Sequence, residues 1–373
     1  MISKAWLKIA AVTVIALVSL LLGFVAFRGV IGQQMINQTA RNSFGKLKLN
    51  VLILGYQDEE AATDTMILAH LDVGRRIATL VSVPRDTWVT IPGHGAQKIN
   101  AAYAYGGART SARAVAKLMG GIPIDATVAL QPENAATLVD ALGGLDVNVD
   151  EDMDYDDSSQ NLHIHLRKGL AHLSGSQVAG YVRFRHDPTS DFGRMKRQQR
   201  VLKLIVDRLS EPQNWAKLPK LLQLARRQVN TNLNNRQLVS LLTIYRNVPD
   251  DNVRSFTLPS RAGWVGDASV VFVDQRWARL IGRLLFGRTD PPQDEVLVAN
   301  ATGNAAFDKT LIGALRGAGW NVPTFVDEKM KRTSLVIGGT PAATQLAKTF
   351  STAIRPGTKT ALVLGADLAP DAE

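Results

Sequence analysis

Arg85 and Asp86 close the run "LVSVPRD", a hydrophobic stretch that ends in a proline and two opposite charges. Further along, Tyr181 to Arg200 reads "YVRFRHDPTSDFGRMKRQQR", with five arginines, one lysine and one histidine against two aspartates. Guanidinium groups grip phosphate and carboxylate oxygens through forked hydrogen bonds. Three destinations for so much positive charge are open: a nucleic-acid surface, a solvated helix face, or a pocket for phosphate. Spacing separates them in part. Arg183 and Arg185 stand two apart in "QVAGYVRFRH", which reads as a strand. Both then point one way, with Val182 and Phe184 opposite. Two adjacent guanidiniums need an anion between them or water around them. Gly193 opens a helix over "RMKRQQRVLKLIVDRL", which Asp191 caps. Arg194 and Gln198 share one face near its start, where free N–H groups and the positive dipole end favour anions. These four residues form an anion cradle, whereas Lys196, Arg197 and Arg200 read as a solvated face.

Two further carboxylates bear on the chemistry. Asp64 in "ATDTM" begins a strand with apolar neighbours, where it either holds a divalent cation or faces solvent. Asp86 follows a strand end, where open α/β sheets gather their ligands, although Pro followed by charges also suits a surface turn. The acidic run "DEDMDYDD" lacks the glycine and glutamate of a calcium loop and reads as a solvated loop. His163 and His165 of "LHIHL" share a strand face without a third zinc ligand. No G-x-S-x-G, H-E-x-x-H or G-x-x-x-x-G-K-[ST] occurs, which removes support for common hydrolases and nucleotide triphosphatases.

The elements that must position these residues follow from periodicity. "LKLNVLILGY", "DTMILAHLD" and "RIATLVSVPRD" read as strands, and "ARTSARAVAKLMGG" and "ENAATLVDALGG" as helices closed by glycine pairs. Alternating strands and helices predict an α/β/α sandwich. The chain has 373 residues, enough for two domains, and 46% of them are apolar. Residues 287–295, "GRTDPPQDE", read as a linker to a small βαββαβ unit. The net charge of +10 suggests a polyanion partner until it is located. Lys4, Lys8, Arg28, Arg41, Lys46 and Lys48 precede the first acidic residue, Asp58, and the rest is nearly balanced. Nucleic acid is therefore not an expected partner. Ile9 to Phe27 is a charge-free run of 19 residues, long enough to span a bilayer. The lysines before it put the N-terminus inside. Cysteine is absent, which excludes disulfides and a cysteine nucleophile.

Taken in order, "NVLILG", "TDTMILAHLD", "LVSVPRDTWVTIPG", "KINAAYAYGG", "GGIPID", "LVDALGGLDVNV", "MDYDD", "LSGSQVAGYVRFRH" and "DFGRMKRQQ" resemble the LytR-CpsA-Psr family over residues 50–205. "VLVANATG" and "LRGAGWNV" resemble the C-terminal domain often appended to it. The resemblance implies a fold with a mixed central sheet, and the following division. Residues 1–28 are a cytoplasmic tail and membrane anchor, 29–46 a linker, 47–287 the catalytic domain, 288–294 a second linker, and 295–373 the appended domain. It implies a single-pass protein of the plasma membrane with both domains outside the cytoplasm. The implied activity moves a glycopolymer from a polyprenyl-pyrophosphate carrier to peptidoglycan, with polyprenyl monophosphate released. Arg85 is the implied catalytic arginine with Asp86 beside it. Arg183, Arg185, Arg194 and Gln198 grip the pyrophosphate with support from Asp191, and Asp64 holds magnesium. One departure stands out. The family has an aspartate in a "GTD"-like motif after the first strand, and here "GYQDEE" puts Gln57 in that place and Asp58 one later. A lipid-pyrophosphate binding protein without transfer, and a membrane-tethered regulator, are the competing functions.

Overall fold

The computed structural model describes residues 32–57, 62–157, 162–184, 190–211, 214, 218–286, 291–292, 294–302, 305–323, 325–327, 329, 331–365 and 367. The expected membrane span at Ile9 to Phe27 and the candidate residues Asp58 and Arg185 lie outside them. Among the described residues, no helix is long and apolar enough to cross a membrane.

The chain opens with α1 (residues 32–44), followed by β1 (Lys48–Gln57), β2 (Ala62–Asp72) and β3 (Ile77–Ser82). A short hairpin, β4 (Trp88–Ile91) and β5 (Gly95–Lys98), leads to α2 (Ala102–Leu118), β6 (Ala126–Leu130) and α3 (Pro132–Leu142). Two hairpin-like pairings come next, formed by β7 (Leu145–Val149), β8 (Met153–Asp157), β9 (Leu162–Leu166) and β10 (Gly169–Leu173). Then come α4 (Gly175–Arg183), α5 (Ser190–Ser210), α6 (Leu218–Gln228), β11 (Val229–Thr231), α7 (Asn235–Arg246) and β12 (Val253–Thr257). The hairpin β13 (Ser260–Val265) and β14 (Ala268–Val273) precedes α8 (Gln275–Phe286).

The main sheet runs β11-β6-β1-β2-β3-β12. β1 pairs parallel with β6 and antiparallel with β2, and β3 pairs parallel with β12, so β1, β3, β6 and β12 all point one way. Their carboxyl ends form a single edge. Every residue of β3 is buried, as a strand covered on both faces requires. Side chains alternate between those faces. Leu52, Leu54, Met66 and Val81 join residues of α2 and α8 in one core. Val51, Ile67 and Leu80 meet Leu202 of α5 and Leu238 of α7 on the other side. The predicted three-layer sandwich with a mixed central sheet is therefore the observed fold.

Three local expectations give way. Within the expected linker 29–46, residues 32–44 form α1, which buries Ile36 and Ala40 against Leu49, Leu71 and Ile244. Gln33 also donates to the Val73 carbonyl at 2.8 Å. Residues 177–183 are helical, not extended. Ser174 and Gln177 form a reciprocal cap, and Val178 and Tyr181, three apart, sink into the core beside β9. Gly175 lets α4 start hard against the Ala136 carbonyl, which a Cβ would meet at 2.1 Å. The acidic run 150–157 is partly strand, because β8 pairs with β9 and buries Met153.

The C-terminal unit comprises β15 (Val296–Asn300), α9 (Ala305–Gly317), β16 (Phe325–Asp327), β17 (Leu335–Ile337), α10 (Pro341–Phe350), β18 (Ala353–Arg355) and β19 (Thr360–Leu364). Its sheet order is β16-β15-β19-β17-β18, with β18 added to the expected pattern. Its core is continuous with the main one, since Val298, Leu311 and Leu315 share a cluster with Leu52, Val81 and Trp277.

Candidate active site

Arg85 and Asp86 sit in a tight turn just past the end of β3. The Thr87 N–H and hydroxyl both donate to the Pro84 carbonyl, at 3.1 and 2.6 Å. Neighbouring elements pin the turn from two sides. Asn100 N–H donates to the Arg85 carbonyl at 3.1 Å, and Val271 N–H to the Asp86 carbonyl at 2.9 Å. A loop whose carbonyls are fixed this way presents its side chains in one direction.

The Arg85 guanidinium donates to the Asp64 carboxylate, which reaches it from the start of the adjacent β2. Asp86 Oδ2 lies 3.6 Å from Arg85 Nε, and its Oδ1 pairs with Lys98 Nζ at 2.8 Å. Two carboxylates and two cations thus interlock at the carboxyl edge. Their side chains keep 23–33% of their surface, enough for a substrate to reach them.

α5 approaches the same edge from the other face. Gln199 Nε2 donates to Ser82 Oγ at 2.7 Å, both groups buried. Farther along, Lys203 pairs with Asp250 at 2.9 Å, just before β12 begins at the opposite edge. The start of α5 therefore points past Ser82 toward Arg85. Arg194 precedes Gln199 by about 7.5 Å of helix. It is 2% exposed, which is costly for a cation unless its surroundings are built to hold charge.

The structure thus brings together Asp64, Arg85 and Asp86, and directs the Arg194 end of α5 to the same edge. Gln198 is half-buried on α5, and Arg183 lies in the last turn of α4. Asp191 belongs to α5, but its side chain is outside the described set. Lys98 and Gln199 were not singled out from sequence, although both fall inside quoted motifs. Arg197 was placed on a solvated face and is instead 3% exposed. It donates to the Phe184 carbonyl and lies over the rings of Tyr181 and Phe184 at 6.0 and 5.6 Å. The signal was available: Arg194, Arg197 and Val201 fall on one helical stripe. Arg200 pairs with Asp150 at 2.7 Å and is not simply solvated.

Among the described residues, no group of three or more His, Asp or Glu is placed to hold a metal by itself. Magnesium nevertheless suits the donors present. It takes hard oxygens and commonly uses one or two carboxylates plus substrate phosphates. Asp64 and Asp86 are the carboxylates at this edge that would hold such a cation, and it would offset negative charge there. His163 and His165 pair across the β8–β9 hairpin with Asp156 and Asp154, the latter at 2.6 Å.

A family model described as the LytR_cpsA_psr family matches residues 32–281. The Staphylococcus aureus protein named regulatory protein MsrR is 32% identical over 217 residues, 57% of this chain and 64% of that protein. The Bacillus subtilis polyisoprenyl-teichoic acid–peptidoglycan teichoic acid transferase TagV is 29% identical over 61% of each chain. The crystal structure of B. subtilis TagV superposes with a TM-score of 0.58 at 27% identity, covering 65% of this chain and 99% of that one. The chain thus spans less than two thirds of the length of these curated relatives.

Proposed function

The chain belongs to the LytR-CpsA-Psr family, and on that premise we propose that it is a phosphotransferase that links a glycopolymer to peptidoglycan. The observation that carries this reading is the Asp64–Arg85–Asp86–Lys98 cluster, set at the sheet edge to which α5 directs Arg194. The donor is a glycopolymer on a polyprenyl-pyrophosphate carrier. The acceptor is a peptidoglycan primary hydroxyl. Its oxygen forms a new bond to the sugar-linked phosphorus, and the bond to the bridging oxygen breaks. Polyprenyl monophosphate leaves with the electron pair, and the hydroxyl proton passes to it. A phosphodiester remains on the wall. Relatives bearing transferase names support the class of reaction.

Phosphoryl transfer asks for charge neutralisation and alignment more than for a covalent nucleophile. Arg85 turns from Asp64 onto the transferred phosphoryl oxygens. Arg183, Arg194 and Gln198 hold the pyrophosphate, with Arg185 and Asp191 in the same service. Asp86, held by Lys98, keeps Arg85 in register. Bound magnesium would offset phosphate charge, with Asp64 and Asp58 as its carboxylates. Ile9 to Phe27 anchors the chain in the plasma membrane with the domains outside, where a lipid-borne donor is accessible. The test uses the full chain with a polyprenyl-pyrophosphate sugar donor and peptidoglycan, with and without magnesium. Arg85→Ala is expected to lower polyprenyl monophosphate release by roughly a hundredfold to a thousandfold. It should leave the melting temperature unchanged. Full release by a folded Arg85→Ala protein would sink the mechanism.

A second reading, a lipid-pyrophosphate binder without transfer, draws on Gln57 standing where the family has an acid. Donor binding without release would favour it. A regulator that binds nucleic acid suits the name of the S. aureus relative but not the charges. The most basic stretch spends Arg194 and Arg197 in the interior and Arg200 on Asp150, leaving little for a phosphate backbone.

A further inference from the structure

Large aromatic side chains are costly to leave in water, and single exposed ones gain meaning when they cluster around a site. Trp264 is 69% exposed and Tyr105 is 45% exposed. Each belongs to an element next in line to one that bonds the Arg85–Asp86 turn: β14 for Trp264, and the 99–101 turn that leads into α2 for Tyr105. Trp264 lies on β13, whose partner β14 gives the Val271 N–H bond to Asp86. Ala262 pairs with Val271, and Trp264 follows it on the same face, about 7 Å toward the tip. Phe272 stiffens this hairpin by lying across Gly263, where a Cβ would meet its ring at 2.7 Å, and Arg261 covers the ring at 5.1 Å.

Tyr105 is set by a break in α2. Gly106 and Gly107 leave helical geometry there, and Gly107 has φ +60°, which a side chain would resist. The Tyr105 ring stacks on His94 at 3.9 Å and 10°, and its hydroxyl donates to Gln97 Oε1 at 2.9 Å. Gln97 is the chain neighbour of Lys98, the partner of Asp86. The result is a rigid, half-open ring with a polar rim.

These two platforms share a side of the main sheet. Val89 of β4 and Val273 of β14 pack in the cluster with Leu52, Leu54 and Val81. α5, which carries Arg194, packs on the other face. Arg85 lies at the carboxyl edge where these two faces meet, in the turn after β3. In-line displacement at phosphorus needs the entering and leaving oxygens on opposite sides. A pyrophosphate gripped from the α5 side leaves the Tyr105 and Trp264 side for the acceptor.

Resting on the transferase reading, we infer that Tyr105 and Trp264 bind the glycan strand of the peptidoglycan acceptor. The C–H face of a pyranose stacks on an aromatic ring, and its hydroxyls meet polar groups at the rim, here Gln97 and Ser269. The hairpin tip carries Asp267 and no lysine or arginine between Arg261 and Arg276, which disfavours an anionic bilayer as the occupant.

The test is co-sedimentation of the full chain in detergent with purified peptidoglycan. Trp264→Ala should raise the half-saturating peptidoglycan concentration about tenfold. The double variant with Tyr105→Ala should raise it further, and Trp264→Phe should recover most of the binding. Leu170→Ala removes a still more exposed apolar side chain on β10 and should sediment as wild type. Sedimentation unaffected by the double variant overturns the inference. So does loss of flotation with phosphatidylglycerol vesicles in place of sedimentation, or an equal loss of donor affinity. Arg85-dependent release of polyprenyl monophosphate to water, measured without peptidoglycan, tests the transfer reading separately. If that release is absent while sedimentation still depends on Trp264, the transfer reading falls and the glycan platform stands.

Discussion

The main sheet carries a polar cluster at each edge, and the two behave oppositely. At the carboxyl edge, Asp64, Arg85, Asp86 and Lys98 interlock within reach of solvent. At the amino edge, Asn50, His70, Thr79 and Arg254 stand opposite one another on β1, β2, β3 and β12, forming one row beneath α8 and α9. His70 is fully buried there. Its Nδ1 lies 2.8 Å from Asn50 Oδ1, and its ring meets Phe286 edge-on at 5.1 Å. Asn50 spends its amide on the Pro123 carbonyl at 2.7 Å, so its oxygen accepts and His70 Nδ1 carries the proton. Burial, aided by the nearby Lys48 charge, pushes the His70 pKa down to about 3. Burial and the Arg316 charge likewise pull Arg254 below its usual value. The difference is water. The open cluster can exchange partners, while the buried row is committed to one arrangement and joins the C-terminal unit to the sheet.

Acid separates the two edges most strongly. The unfolded chain protonates His70 near pH 6.5, but the folded chain resists until about 3. The unfolded state therefore binds more protons throughout that window, and stability rises with pH across it and levels off above 6.5. Going from pH 7 to pH 4.5 should cost roughly 2–3 kcal/mol through this residue alone. Urea unfolding of wild type and His70→Gln at both values checks this, and an equal slope in the two proteins would break the comparison. Next in size is Gln199→Ala, which strands the buried Ser82 hydroxyl and should cost about 1–3 kcal/mol. Because Gln199 also seats the start of α5, donor affinity should fall with it, a loss that calorimetric titration would detect. Lys98→Ala should lower kcat/KM roughly tenfold, or about 1.4 kcal/mol, by freeing Asp86. Lys98→Arg should restore most of it, whereas a purely structural role would shift the melting temperature instead. The smallest change should come from Arg167→Ala. Its pair with Asp152 at 3.1 Å is solvent-exposed, and unfolding experiments should show no measurable loss of stability.

Much of the frame was legible because it rests on short-range pattern. The runs around Leu52, Leu68 and Leu80 are apolar enough to specify strands wherever they pack, and the glycine pairs after Met119 and Leu142 mark helix ends. The placement of Arg85 and Asp86 was legible too, since a charged turn after a buried strand must emerge at the sheet's carboxyl edge, where Asp64 meets it. The stretch around Arg183 was not. Its alternation of Val182, Arg183, Phe184 and Arg185 has the period of a strand over only four residues. The Ser174 cap and the burial of Val178 and Tyr181 against Ile164 and Leu166 favour a helix there.

The sequence by itself determined residue types, their order and the periodicity that builds a three-layer sandwich. Only the tertiary structure decided that Lys98 meets Asp86, that Arg197 turns inward over Tyr181 and Phe184, and that α5 lays its first turns toward Arg85. Those outcomes depend on contacts between residues far apart in the chain, whose energies appear only once the sheet has closed over its core. The same holds for Trp264 and Tyr105, unremarkable as letters, which acquire a role because two hairpin-like elements meet at one turn.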